Sequence, residues 1–585
     1  MGRLLVSTSI EESWGDGEPI LFLGEWCREY RASDRWVGLD AEVLPYHWAD
    51  RAKVEMDRER LWSLHEDLLV AISALLNARH RVDHEVRYWR ILVGPWLGFF
   101  TQALFDRWSQ VQMAVSSGAV DSTIVLEDLP DARVPVDMVD HLWLSNSHQW
   151  NHHVVARVLE ATTDVPRRLA SAGHLGGLMV DEEPSHEGLR ARLVDFALRI
   201  LSPLARSSDV MVVNPCLRSV REELALHLRL RQVPRLYRVG PVRGVDPDPA
   251  ERGWRLKVAD GDPFAECLGV LLAEFLPTAY LEGYRDLVAQ AEEMSWPTST
   301  SVVFTSASHL YDDLFKAWCA ERVEAGAKLV IGQHGGHAGI GWSFFHHHQL
   351  SVADRFLSWG WDAPDDPRIR PVGTLKDPVL PERPEGRGMS AVLVLGNETA
   401  QVGSLSSSAL SSEFLDYVDD IYSFVESLDP DVRSALRVRG SQHDVHWSVL
   451  ERWADRFPDV DVDDGRRSIL ELLSEARIYV TTTNGTTFLE SIYLGVPTVM
   501  FWDPDRWGIL PESRPWFDRL TEVGVFHEDS ISAAAHVNSI WNDVEAWWTG
   551  EDVVDAVASF SKRFCRRSPD TVGRVAMEIK AAGSR

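Results

Sequence analysis

The sequence predicts an α/β protein made of two Rossmann-like domains that face each other across a cleft, with extra helices in the first. Three observations carry that expectation. Short apolar runs of strand length alternate with stretches of helical spacing, the pattern of βαβ units around parallel sheets. A proline-rich stretch, residues 362–390, interrupts the pattern, and beyond it the alternation starts again. The chain of 585 residues is also too long for one compact core.

Residues 4–7 form a short strand, and 19–24 (PILFLG) form a second that ends in glycine. Across 51–77, Leu61, Leu64, Leu68, Leu69, Ile72, Leu75 and Leu76 follow the spacing of one helical face. A segment rich in Trp, Arg and Tyr continues to about Arg107. Residues 210–215 (VMVVNP), 301–305 (SVVFT) and 328–331 (KLVI) are further strands, the last two separated by an amphipathic stretch over 312–324. The prolines of 362–390 cannot continue a helix or a central strand, which makes this stretch a linker. After it, strands at 391–395, 436–438, 460–462, 478–481 and 498–501 alternate with helices at 412–428, 445–456, 468–475 and 487–493. Residues 536–548 and 552–566 have helical spacing. The chain thus divides into an N-terminal domain with helical insertions (1–375), a C-terminal domain (376–545) and a helical tail (546–585) that packs back on the first.

Composition narrows the function. With 45% hydrophobic and 25% charged residues this is an ordinary globular protein, and no run reaches the length of a membrane helix. The opening MGRLLVSTSIEESWGDG turns acidic within a few positions, which argues against a signal peptide. Cys27, Cys216, Cys267, Cys319 and Cys565 lie far apart, excluding a disulfide framework or a zinc ribbon and fitting a reducing cytoplasm. A formal net charge of −29 argues against nucleic acid as a partner. The 24 tryptophans serve mainly packing, with a minority available to stack on sugar rings.

The strongest local signal is 477–502, RIYVTTTNGTTFLESIYLGVPTVMFW. A strand runs through Thr481 into Thr482, Thr483, Asn484, Gly485, Thr486 and Thr487, then directly into a helix that carries Glu490. Ligands of open parallel sheets sit beyond the carboxyl ends of strands, where helix N-termini offer free amides to phosphate. The alternative is that Thr486 or Thr487 merely caps the helix and Glu490 completes a capping network. Arg437 and Arg439 flank Val438 on one strand face, followed by His443, and the arginine fork suits phosphate or a sugar carboxylate. Asn397, Ser406 and Ser407 give a third polar loop on the same edge.

Several long motifs extend this. SIEESWGDGEPILFLGEWCREY, LPYHWADR, RYWRILVGPWL, GQHGGHAGIGWSFF, ADRFLSWGW and TTTNGTTFLESIYLGVPTVMFW resemble a family of transferases of bacterial O-antigen and surface-carbohydrate biosynthesis, over essentially the whole chain. A remoter similarity runs to capsule enzymes that transfer Kdo from a CMP donor and to teichoic-acid polymerases that transfer glycerol phosphate from a CDP donor. The resemblance implies the facing-domain architecture called GT-B among glycosyltransferases. It also implies a CMP- or NDP-sugar donor on the C-terminal domain, and a glycan or lipid-linked glycan acceptor on the first. Gly440-Ser441 departs from the aromatic-proline step expected before His443.

The stretch 331–348, IGQHGGHAGIGWSFFHHH, holds five histidines. Consecutive His346, His347 and His348 point in different directions and have no Cys or carboxylate at ligand spacing, so they read as solvated or helix-face residues. His334 ends a buried strand ahead of Gly335 and Gly336, where an imidazole can take an acceptor proton or bind phosphate, with Gln333 and His337 as its partners. In the teichoic-acid polymerases a histidine-glycine turn supplies the catalytic base. Glu11, Glu12 and Glu25, after the first two strands, are the rival catalytic groups, as base or nucleophile.

The sequence therefore leads to a glycosyltransferase of surface polysaccharide or O-antigen, with an alditol-phosphate transferase and a non-catalytic glycan-binding subunit of a polymer-assembly complex as alternatives. It is expected to need no metal or cofactor. It is expected to lie in the cytoplasm, free or peripheral at the inner-membrane face alongside polymer-assembly proteins.

Overall fold

The computed structural model describes residues 2–177, 204, 206–237, 240–259, 261–381, 388, 390–443 and 445–584. Part of the expected linker (382–387 and 389) and Asp444, beside His443, lie outside the described residues.

The chain is α/β, as expected, and every strand pair is parallel. Among the described residues the strands form three sheets where the sequence pattern indicates two. The first contains β1 (Arg3–Val6), β2 (Ile20–Phe22), β3 (Ala41–Val43), β4 (Val120–Glu127) and β5 (Arg167–Ser171), in the order β3-β2-β1-β4-β5. The middle sheet contains β6 (Met211–Val213), β7 (Val302–Thr305), β8 (Lys328–Gly332), β9 (Arg355–Ser358) and β10 (Ile369–Pro371), in the order β10-β9-β8-β7-β6. The last contains β11 (Ser390–Val394), β12 (Leu436–Arg439), β13 (Asp461–Asp463), β14 (Ala476–Thr481), β15 (Thr498–Phe501) and β16 (Phe526–His527), in the order β13-β12-β11-β14-β15-β16. Strands β6, β7 and β8 are buried through nearly all their residues, which is why they read as continuous apolar runs. Strand β10 takes up residues of the proline-rich stretch, so that stretch begins inside the middle sheet.

Strand order decides where ligands can bind. In the first and last sheets the order reverses, between β1 and β4 and between β11 and β14, and a reversal opens a crevice at the carboxyl ends. The middle sheet runs sequentially and has no such point.

The Trp- and Arg-rich segment folds into helices Val86–Leu92 and Gly94–Ser116. The second is apolar nearly all round and is the central pillar, as burial on every side requires. A Cβ at Gly98 would lie 1.7 Å from the Phe344 ring, so only glycine allows this approach. The same helix reaches the C-terminal region. Gln102 Oε1 accepts from Leu405 N at 2.8 Å, and the buried Arg107 donates to the Val402 carbonyl while paired with Asp106.

Toward the end of the chain, helix Glu551–Phe564 packs on helix Arg514–Glu522, and Arg566 N donates to Trp359 O at 2.9 Å. Helix Thr571–Gly583 then lies against β7 and β8, and Arg355 donates to Glu578 O at 2.8 Å. Among the described residues no helix is long and apolar enough to cross a membrane.

Candidate active site

Strand β8 ends at Gly332, where a Cβ would lie 2.5 Å from Ser306 Oγ. The next residue, Gln333, is fully buried. Its Oε1 accepts from Trp359 N at 2.8 Å and from Trp361 Nε1 at 2.9 Å, and its Nε2 donates to Gly335 O at 2.8 Å. Gln333 therefore shapes the turn from beneath and makes no bond to His334. His337 is not a partner either, since its Nε2 is 3.0 Å from Trp342 O.

What the turn presents is Gly335-Gly336 against the C-terminal region. Gly336 N donates to Thr486 Oγ1 at 3.1 Å. A Cβ at Gly336 would lie 2.8 Å from Gly485 O and 2.9 Å from Thr486 Cα, so the two turns meet backbone to backbone. Helix Thr487–Leu494 has no side-chain cap among the described residues. Thr486 is turned toward Gly336, and Glu490 lies 3.8 Å from Lys376 Nζ, so neither builds the alternative capping network.

Half-buried His334 stands at this junction. Its Nδ1 is 3.1 Å from Cys216 Sγ. Burial, then the nearby Lys376 charge, lowers the His334 pKa and favours the neutral imidazole. Burial raises the Cys216 thiol, so the pair is neutral on both sides. Cys216 and Asn214 hold left-handed backbone, φ 52° and 44°, a strained arrangement that clusters at functional sites. Burial also raises Glu490, with Lys376 opposing the shift. Sequence reasoning missed Cys216 and Lys376, because only the fold brings them to His334.

The other expected residues divide. Thr482 is buried, its Oγ1 2.5 Å from Tyr417 OH and donating to Val394 O at 3.0 Å, so it braces the turn. Asn484 Nδ2 donates to Ser407 O at 2.8 Å. Ser407 N in turn donates to Trp342 O at 2.7 Å, and Ser406 bridges Ser343. The serine loop is thus docked on the 341–343 segment. Thr483, Gly485, Thr486 and Thr487 keep some surface at the β11/β14 switch point, where a Cβ on Gly396 would lie 2.8 Å from Thr483 Cγ2. Asn397 is exposed and donates to Ser441 Oγ at 3.2 Å.

Arg437 is not brought to this crevice. It is committed to Asp461 at 2.7 Å and Glu475 at 3.1 Å, below the carboxyl edge. Arg439, at the edge, donates to Gly465 O at 3.1 Å, and its second terminal nitrogen is buried without a partner among the described residues. His443 is exposed. Glu11 pairs with Arg35, and Glu25 accepts from Arg28 Nε at 3.1 Å. Glu12 is exposed. None of the three has a bond to His334 among the described residues. The consecutive histidines lie on helix Phe344–Val352, where His347 is exposed and His348 is fully buried in packing.

Two cavities adjoin the 338–343 segment and the serine loop. One of 210 Å³ is lined by Phe99, Asn146, Ser404, Ser406 and Glu398, whose carboxyl is pushed up to about 7 by burial although Ser408 donates to it at 3.2 Å. The other, of 420 Å³, lies behind the 338–343 segment, with Trp342, Phe356 and Trp361 as walls and Asp362, Asp365 and Arg563 at its rim. Among the described residues, the group spaced to hold a metal is Glu29, His148 and His446, which does not include His334.

No curated protein matches the chain in sequence. Solved structures give distant likenesses. MurG of Acinetobacter baumannii is 13% identical over 64% of this chain and 99% of that one, with a TM-score of 0.32. A putative UDP-N-acetylglucosamine 2-epimerase from Listeria monocytogenes is 13% identical over 64% and 96%, TM-score 0.36. Anabaena Alr3699/HepE, in complex with UDP and glucose, is 10% identical over 64% and 99%, TM-score 0.33. Likeness of that degree leaves the architecture to the chain's own strand order. The family comparison is stronger: the model described as LIC12162 family transferase matches residues 3–579, and the chain belongs to that family of transferases.

Proposed function

We propose that the protein transfers a sugar from a nucleotide-activated donor, CMP- or NDP-linked, to a glycan or lipid-linked glycan during synthesis of a bacterial surface polysaccharide such as O-antigen. The observation that carries this reading is the meeting of the Gln333–Gly336 turn with the Thr482–Thr487 turn, which leaves a neutral His334 beside Lys376 and Glu490. The donor occupies the β11/β14 switch point, with its phosphate toward Thr486, Thr487 and the first amides of helix Thr487–Leu494. Lys376 and the helix dipole offset the charge that develops on the departing nucleotide, and no metal is needed for that role. Neutral His334 accepts the proton of the attacking hydroxyl. The acceptor enters from the 420 Å³ cavity, whose aromatic walls suit the faces of sugar rings.

The test is a thermal-shift and calorimetric screen of the full chain against CMP, CDP, UDP and GDP and their sugar conjugates. One nucleotide is expected to stabilise by about 3 kcal/mol at a hundredfold excess over its Kd. No stabilisation by any nucleotide or nucleotide sugar would sink the reading. Stabilisation confined to CDP and CDP-alditols would replace sugar transfer with alditol-phosphate transfer at the same site.

A further inference from the structure

Glu29, His148 and His446 place three ligand atoms within 4.8 Å of one another. The three come from separate parts of the fold. Glu29 precedes the short helical turn Tyr30–Ala32, His148 opens helix His148–Thr162, and His446 lies between β12 and helix Val449–Arg456. Both imidazoles aim at one oxygen: Glu29 Oε1 is 2.9 Å from His148 Nε2 and 3.4 Å from His446 Nδ1. The rings cross at 62° with centroids 4.1 Å apart.

The proton positions make this arrangement informative. His446 Nε2 is 2.9 Å from the carbonyl oxygen of Asn146. A carbonyl can only accept, so Nε2 carries the hydrogen, and a neutral His446 turns a bare Nδ1 lone pair toward the Glu29 carboxylate. Two acceptors 3.4 Å apart repel each other unless a positive charge stands with them. That charge is either a second proton on the ring or a cation between the groups.

Four features favour the cation. A backbone carbonyl holding the far N–H is how metal-ligating histidines are oriented. Tetrahedral zinc, with bonds of about 2.0–2.1 Å, sets its ligand atoms roughly 3.3 Å apart; the 2.9 and 3.4 Å separations bracket that value. His446 is held at φ 73°, an uncommon conformation for a residue with a side chain, which fixes where its ring points. Glu29 and His446 are 30% and 32% exposed, which leaves an ion a route in.

We propose that Glu29, His148 and His446 form a binding site for a divalent transition-metal ion of the zinc type, with water completing the shell, which clasps the N-terminal region to the C-terminal sheet. The same two segments are joined beside it by Tyr30 OH donating to Asp455 at 2.8 Å and by the Arg31–Glu451 pair. The clasp is independent of the transfer chemistry assigned to His334. It holds His446 in place between β12 and helix Val449–Arg456.

The test uses the untagged full chain, stripped with a chelator, dialysed and titrated with Zn²⁺ at neutral pH, with Mg²⁺ as control and Co²⁺ as a visible-absorption probe. One Zn²⁺ per chain is expected, with a four-coordinate Co²⁺ spectrum. Affinity should fall at least tenfold in Glu29→Gln and in His446→Asn, asparagine being chosen because it tolerates left-handed backbone. Circular dichroism of the metal-free variants establishes that each is folded, and either variant alone suffices. Unchanged affinity in a folded variant overturns the proposal. So does a folded wild-type chain that binds no Zn²⁺ stoichiometrically, which would leave the three side chains as a hydrogen-bonded cluster only.

Discussion

The first and last sheets share a strand order, yet different side chains follow their strands at the point of reversal. In the first sheet the β1/β4 switch point is filled by the chain itself. His152 Nε2 accepts from Leu126 N at 3.0 Å, and its Nδ1–H is directed at Ser7 Oγ at 3.0 Å. The indoles of Trp14 and Trp26 donate to the carbonyls of Thr8 and Ser7, at 3.3 and 3.0 Å. At the β11/β14 switch point the corresponding positions are Gly396, Thr483 and Gly485, small or hydroxylated, and the middle sheet delivers His334 opposite them. A reversal of strand order supplies an opportunity; the side chains that follow the strands decide whether it is kept for a ligand or closed by packing.

Three substitutions probe that contrast. The largest effect is expected for His334→Ala, with turnover lowered by about 10²–10⁴-fold and melting temperature nearly unchanged, since the residue is half-buried and acts as a base. Full turnover in this variant would remove His334 from the mechanism. Next comes His152→Leu, which strands the Leu126 amide and the Ser7 hydroxyl and should cost about 1–3 kcal/mol of stability in denaturant titrations. Turnover per folded molecule should stay at the wild-type level. A drop as deep as that of His334→Ala would mean that the first sheet's edge, with Glu11 and Glu25, takes part in the chemistry after all.

The smallest effect concerns pH. Burial and Lys376 hold His334 below the ordinary histidine value, so the neutral base persists to lower pH and the acid limb of kcat/KM should lie below about 6.5. Removing a positive neighbour raises a histidine pKa, so Lys376→Met should move that limb upward. An unmoved limb would mean that the group titrating there is not His334.

Much of this was legible in the sequence. Buried strands β7, β8, β11 and β14 announce themselves as apolar runs, and the glycine and threonine turns that follow β8 and β14 mark themselves by composition. That the strands before the proline-rich stretch divide between two sheets was not legible, because several strands that complete each sheet carry little apolar signal. Strand β3 is Ala-Glu-Val, β5 is Arg-Arg-Leu-Ala-Ser and mostly exposed, and β10 contains a proline. Arg437 and Arg439 do share one strand face, but sequence gives no sight of Asp461 and Glu475, which claim the first of them. Nor could it show that Gln333 would serve Trp359 and Trp361, or that Cys216 would reach His334 across 118 positions. Contacts at such separations are made by the fold and leave no local pattern.

The helix Thr571–Gly583 carries a consequence for how the molecule is made. It covers β7 and β8, whose own sheet is complete once β10 has been synthesised at Ile369–Pro371. The covering helix follows about two hundred residues later, which at ordinary elongation rates is a delay on the order of 10–40 s. Through that interval the nascent middle sheet shows an apolar face to its surroundings. Ribosome-bound chains halted before Thr571 should therefore recruit chaperones that chains carried past Gly583 release.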